Sequence, residues 1–134
     1  MSACVLDTDV VIAALDRSDA HHDKAVHALR AMAEQEVGLL LSLINYAETL
    51  VRPAETERTL RAAISAIDAM GIKLVAPTAP VAREAARLRG LNISLADGFA
   101  LATAKAHNAS VATFDRRVRR SLGAAGVELA AHLH

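Results

Sequence analysis

Aromatic residues are almost missing from this chain: Tyr46, Phe99 and Phe114 are the only three among 134 residues. That excludes a broad platform on which many bases of a single nucleic-acid strand could stack, since each stacked base needs its own ring. Cysteine is nearly absent too. Cys4 stands alone, so neither an intrachain disulfide nor a cysteine-based zinc site is available. Its place inside an apolar run reads as a buried, inert thiol. Net charge is zero, with 15 basic and 15 acidic residues. Charge therefore gives no global support for nucleic-acid binding, although a local basic patch suffices to hold phosphate. No basic segment leads into a long apolar one, and Asp7 interrupts the first apolar run. Neither a signal peptide nor a membrane span is expected, and the expected location is cytoplasmic.

What is there is a globular core. The apolar fraction is 53%, much of it alanine, which favours closely packed helices. The length suits one domain over residues 1–134 with a single core. No internal repeat, linker or low-complexity segment interrupts it.

The chain is organised around Cys4-Val5-Leu6-Asp7-Thr8-Asp9. Cys4 to Leu6 reads as a buried strand, Val10 to Leu15 as the helix after it, and Asp7 as the residue at the strand's end. Asp16 to Asp19 is a polar loop. A helix is expected from about Ala20 to Glu36 with Val26, Leu29 and Ala33 on one face. Leu39 to Leu41 is a second buried strand, and Ser42 leads into a helix near Ile44 to Val51 that Pro53 breaks. Thr56 to Met70 is periodic through Leu60, Ile64 and Ile67. Ile72 to Val75 reads as a short strand. Thr78 caps a helix with Pro80 in its first turn and Val81, Ala85 and Leu88 inward. Ser94 opens a helix to about His107, Ser110 to Thr113 is a strand, and Arg116 to Leu122 is a short basic helix. Val127 to Leu129 reads as a last edge strand. Strands alternating with helices imply an α/β fold with a parallel sheet covered on both faces.

Four acids occupy suggestive places: Asp7, Glu48, Asp97 and Asp115. Each has a structural explanation. Asp7 and Asp115 fit N-caps, Asp97 completes a capping box with Ser94, and Glu48 fits an exposed helical position. Together they say more, because in a right-handed doubly wound sheet all four places face one crevice beyond the strand ends. Clustered carboxylates repel and push one another toward protonation. A hard divalent cation, Mg²⁺ or Mn²⁺, removes that penalty through oxygen ligands.

Asp7-Thr8 after the first strand, Ser42 six residues before Glu48, Asp97 with Ala100 in the next turn, and Thr113-Phe114-Asp115 together resemble the PIN domain. The length and His21-His22 near the second helix are similar to the VapC-type toxins of bacterial toxin–antitoxin pairs. The resemblance covers nearly the whole chain. It implies a three-layer α/β/α fold with a short, mainly parallel sheet, and an endoribonuclease dependent on Mg²⁺ or Mn²⁺. Asp7, Glu48, Asp97 and Asp115 would form the acidic site, with Asp7 and Asp97 as direct ligands. Glu48 and Asp115 would bind a second ion, hold the metal's water or help to deprotonate it. Thr8 and Thr113 would hydrogen-bond the carboxylates around them. The products implied are a 5′-phosphate and a 3′-hydroxyl. Specific recognition favours single-stranded loops with accessible bases, so a structured tRNA or rRNA loop is the expected substrate, with messenger RNA as the alternative. The partners implied are a second copy of the chain and a cognate antitoxin that blocks the site. One position departs from the pattern: Asp9 stands where Asn or Ser is common. Beside the site, it either adds metal affinity or favours the helix N-terminus.

Arg116, Arg117, Arg119 and Arg120 follow Asp115 directly and are candidate phosphate contacts, or else a solvated helix face. Arg52, Arg58 and Arg61 read as surface charges. His21, His22 and His27 do not suggest a metal site, since adjacent helical histidines point apart. Ser42 reads as a cap, with no His placed beside it to activate it. Two rival functions are weighed. Asp7-Thr8-Asp9 has the form used by haloacid-dehalogenase-like phosphatases, with Asp7 as nucleophile, but no suitable lysine or later acidic pair accompanies it. A non-catalytic receiver or PIN-like binding module is the other rival. A receiver would need an acid where Ser42 stands.

Overall fold

The structure is a computed structural model and describes residues 2–133. Four strands, β1 (Ala3–Leu6), β2 (Gly38–Ser42), β3 (Lys73–Val75) and β4 (Ser110–Ala112), form one sheet in the order β3-β2-β1-β4, every pair parallel. Around them run α1 (Thr8–Leu15), α2 (His22–Glu34), α3 (Leu43–Leu50), α4 (Glu57–Ala69), α5 (Ala79–Leu88), α6 (Leu95–Ala106) and α7 (Arg116–Ala125). Side chains alternate across a strand, and the two faces separate accordingly. Cys4, Leu6, Leu39 and Leu41 pack with residues of α1, α2 and α4. Val5, Leu40 and Val111 pack with α5, α6 and α7. The result is the three-layer α/β/α arrangement expected from the resemblance.

The expected edge strand at Val127 to Leu129 reduces to one parallel bridge, Val111 to Leu129. The face of α2 is also rotated from the expected one. Ala25, Ala28, Leu29 and Met32 are buried while Ala33 is exposed. On α4, Ala63 and Ile67 are buried and Ile64 is exposed. Both differences have one cause: alanine occupies inward and outward positions alike, so hydrophobicity alone underdetermines the facing. Cys4 is fully buried, and burial pushes its thiol up to about 11, which makes it unreactive.

A close approach between two helices sets the position of Asp97. A Cβ placed on Gly98 would stand 2.9 Å from the Ala85 carbonyl oxygen. Gly98 thus lets α6 lie against α5, and it directly follows Asp97. Gly98→Ala is expected to destabilise the fold by about 1–3 kcal/mol through overpacking, read as a lowered melting temperature.

Candidate active site

Asp7 lies at the carboxyl end of β1, the central strand with β4 beside it. It is 2% exposed. Its Oδ1 accepts from the Thr8 backbone N–H at 2.9 Å, which caps α1, and its Oδ2 accepts from Thr113 Oγ1 at 2.8 Å. Thr113 follows β4, so adjacent strand ends are tied through one carboxylate. Thr113 Oγ1 in turn accepts from the Asp115 N–H at 3.1 Å. Asp115 caps α7, its Oδ1 accepting from Arg117 N at 2.7 Å and Val118 N at 3.2 Å. Asp97 sits in the first turn of α6, where its N–H donates to Ser94 Oγ at 3.1 Å.

Asp9 reaches across from α1. Its Oδ2 accepts from the Phe114 N–H at 3.0 Å, and its Oδ1 is buried without a hydrogen-bond partner among the described residues. Asp9 therefore does more than charge the N-terminus of α1. It binds the loop that carries Asp115.

These carboxyls act on one another electrostatically. Burial, then the charges of Asp9 and Asp97, hold the Asp7 carboxyl well above the usual range against the opposing bonds from Thr113 and Thr8. Burial raises Asp9 to about 6, with Asp115 and Asp97 adding to it and the Phe114 N–H opposing. Asp97 is raised by burial and by Asp115, opposed chiefly by its bonds to Ser94 and also by one to Asp7. The charge effects that raise these three come from one another and from Asp115. Glu48 is not among them: it is exposed on α3 and lines a groove with Ile12, Leu15, Asp16 and Arg52.

The residue of α3 that reaches the site is Asn45, which carries no motif in the sequence. It is fully buried, and its Nδ2 donates to Thr8 Oγ1 at 3.0 Å and to the Ala96 carbonyl at 3.1 Å. Asn45 thereby joins the turn after Asp7 to the turn before Asp97. The Thr8 hydroxyl meets Asn45, and only its backbone N–H meets a carboxylate. An amide within the same helix as Glu48, just before it in the chain, was the available signal. Arg119 is committed elsewhere, its Nε donating to the Thr113 carbonyl at 3.0 Å and Nη2 to the Leu133 carbonyl at 3.1 Å. Arg117 and Arg120 instead line a cleft of about 300 Å³ with Asn92 and Ser121. His21 directly precedes α2 and stacks on Phe114, while His22 Nδ1 lies 2.8 Å from the Ala13 carbonyl oxygen.

Donor chemistry suits a hard divalent cation. Three carboxyls raised by burial and by one another, the neighbouring Asp115 and an orphaned buried carboxylate oxygen gather at one sheet end. Among the described residues, no three acidic, cysteine or imidazole side chains already converge around one point.

The PIN domain model matches residues 4–121. The chain belongs to the PIN domain family. No curated protein matches it in sequence. Solved structures similar to this PIN domain include FitAcB from Neisseria gonorrhoeae, 24% identical over 98% of this chain and 99% of that one, with a TM-score of 0.72. They also include VapC20 of Mycobacterium tuberculosis, described as a sarcin–ricin loop cleaving toxin, 19% identical over 89% and 95% of the two chains with a TM-score of 0.71. A toxin–antitoxin complex from Klebsiella pneumoniae is 21% identical over 84% and 87%, with a TM-score of 0.68.

Thr113 offers a direct check on this PIN domain's site. Thr113→Val keeps the side-chain shape but removes the hydroxyl that serves both Asp7 and Asp115. It is expected to lower any cleavage activity about 10- to 100-fold while the chain still folds, measured as cleavage rate beside a thermal melt.

Proposed function

We propose that this protein is a divalent-cation-dependent endoribonuclease, the toxin of a toxin–antitoxin pair. The observation that carries the reading is the gathering of Asp7, Asp9, Asp97 and Asp115 at one sheet end with the Asp9 Oδ1 unpartnered. Asp7 and Asp97 would hold the cation, Mg²⁺ or Mn²⁺, with Asp115 and Glu48 as further acidic groups. When bound, the ion supplies Lewis-acid polarisation of the scissile phosphate and makes water more acidic. Thr113 and the Thr8 N–H fix the orientation of the Asp7 carboxylate. Asp9 and Thr113 fix the loop that presents Asp115, and Asn45 fixes α6 against α1. Asp115 has one oxygen spent on capping α7, and its other oxygen would be free to accept a proton from the attacking water. Arg116, Arg117 and Arg120 receive the RNA backbone phosphates.

The substrate we propose is a structured tRNA or rRNA loop, whose unpaired bases are accessible. A cytoplasmic location goes with that substrate, and no helix among the described residues is long and apolar enough to cross a membrane. One PIN-like unit carries the whole site. A cognate antitoxin and a second copy are the protein partners. Ile12 and Val51, 38% and 68% exposed, line one groove, and exposed apolar surface there supports a protein partner. The phosphatase alternative is set aside because the chain is a PIN domain.

The test is incubation of total cellular RNA with purified, antitoxin-free protein in Mg²⁺, Mn²⁺ or EDTA. Discrete fragments with 5′-phosphate and 3′-hydroxyl ends, formed only with metal, are expected. Folded protein that cuts nothing under any of these conditions moves the reading to a PIN-like binding module.

A further inference from the structure

An aromatic pair beside the acids has no part in the chemistry above. The rings of His21 and Phe114 stack with centroids 4.3 Å apart and planes 11° from parallel. Phe114 lies between Thr113 and Asp115, its N–H is held by Asp9, and its ring packs partly on the core beneath β1. His21 is braced as well. Its backbone N–H donates to Asp19 Oδ1 at 2.8 Å, and its Nδ1 lies 3.8 Å from the same oxygen. Despite being fixed on these sides, the His21 side chain remains 53% exposed. Tyr46 and Phe99 are taken up by packing against the two cores. His21 is thus an exposed, preorganised ring that the structure links through Phe114 directly to Asp9, Thr113 and Asp115.

We propose that His21, laid on Phe114, is a stacking subsite for one nucleobase of a single-stranded RNA segment next to the scissile phosphate. The inference rests on the ribonuclease reading and adds to it a contact with a base. Histidine and phenylalanine are among the rings on which unpaired RNA bases stack. A ring already held flat loses little freedom when a base covers it. The remaining polar groups of the site address phosphate and cation, so this pair supplies a contact that a bare backbone cannot make.

The test is fluorescence anisotropy with a labelled adenine 12-mer RNA and a labelled abasic 12-mer. Ca²⁺ replaces Mg²⁺ so that the strand is held uncut, and thermal melts confirm folding. His21→Ala is expected to weaken adenine 12-mer binding about tenfold, and His21→Phe to stay within about twofold of the parent. All three proteins should bind the abasic strand equally. Unchanged adenine 12-mer binding by His21→Ala overturns the proposal. So does equal loss in His21→Phe, which would assign the effect to an imidazole hydrogen bond, and so does equal loss on the abasic strand. If the folded parent binds neither strand, this proposal is overturned, while the ribonuclease reading is decided separately by the cleavage of total RNA.

Discussion

Asp7→Asn is expected to act in opposite directions on activity and on stability. Metal-dependent RNA cleavage should fall about a thousandfold, because a neutral amide is a poor ligand for a hard cation and one preorganised charge at the reacting phosphate is lost. The melting temperature of the metal-free protein at pH 7.5 should rise by several degrees. The asparagine keeps an acceptor for the Thr8 N–H, and the Thr113 hydroxyl can rotate to accept from the new amide. What disappears is an acid that must either stay charged facing Asp9 and Asp97 or take up a proton in order to be buried. Asp7→Ala separates the two effects: it is equally inactive but leaves the Thr113 hydroxyl and Thr8 N–H unpaired, and should melt lower than the parent. An inactive Asp7→Asn variant that melts well below the parent at pH 7.5 would mean that the charge is not the stored cost.

Metal-free protein is expected to lose stability as pH rises from 5 to 7.5, and divalent cation should restore it. Asp7, Asp9 and Asp97 all have folded-state values raised above the ordinary carboxylate range, Asp9 to about 6. Above about pH 4 the folded state therefore binds more protons than the unfolded one, and stability falls with pH. Their contribution is fully present below the unfolded carboxylate value and lost as pH passes the folded values. Asp16 is shifted the other way, so its contribution is lost only in acid and does not compete in this window. A cation that binds only the folded state adds about 2.7 kcal/mol at a hundred times its dissociation constant. For a domain of this size that is roughly 10 °C. Differential scanning fluorimetry with Mn²⁺ or EDTA at both pH values reads the effect. The gain from metal should be larger at pH 7.5 than at pH 5, where protons already occupy the carboxylates.

The sequence was most legible where local rules decide. Asp7, Ser42, Thr78, Ser94 and Asp115 all cap the helices they precede, as their residue types favour. The buried positions of β1 and α5 were readable because Val5, Leu6, Val81 and Leu88 have no polar competitor among them. Capping and site-building turn out not to exclude each other. Asp115 spends one oxygen on α7, and Asp7 caps α1 while bonding Thr113 across the sheet end. What stayed hidden are contacts that depend on distant pairing. The Asp9 carboxylate meets Phe114, 105 positions away, and the Asn45 amide meets Ala96, 51 positions away. His21 on Phe114 belongs to the same class. Gly98 shows its role only once α5 is known to cross within contact of α6. Alanine-rich faces of α2 were ambiguous because alanine carries little hydrophobic signal in either direction.

The most direct measurement is calorimetric titration of the antitoxin-free protein with Mn²⁺ at pH 6, in two buffers of different ionisation enthalpy. Saturable binding is expected, with an apparent enthalpy that differs between buffers because the cation displaces protons held by Asp7, Asp9 and Asp97, and Asp97→Asn should weaken it. Folded protein that binds no Mn²⁺, or Asp97→Asn protein that binds it as the parent does, would contradict the claim that these aspartates form a cation site.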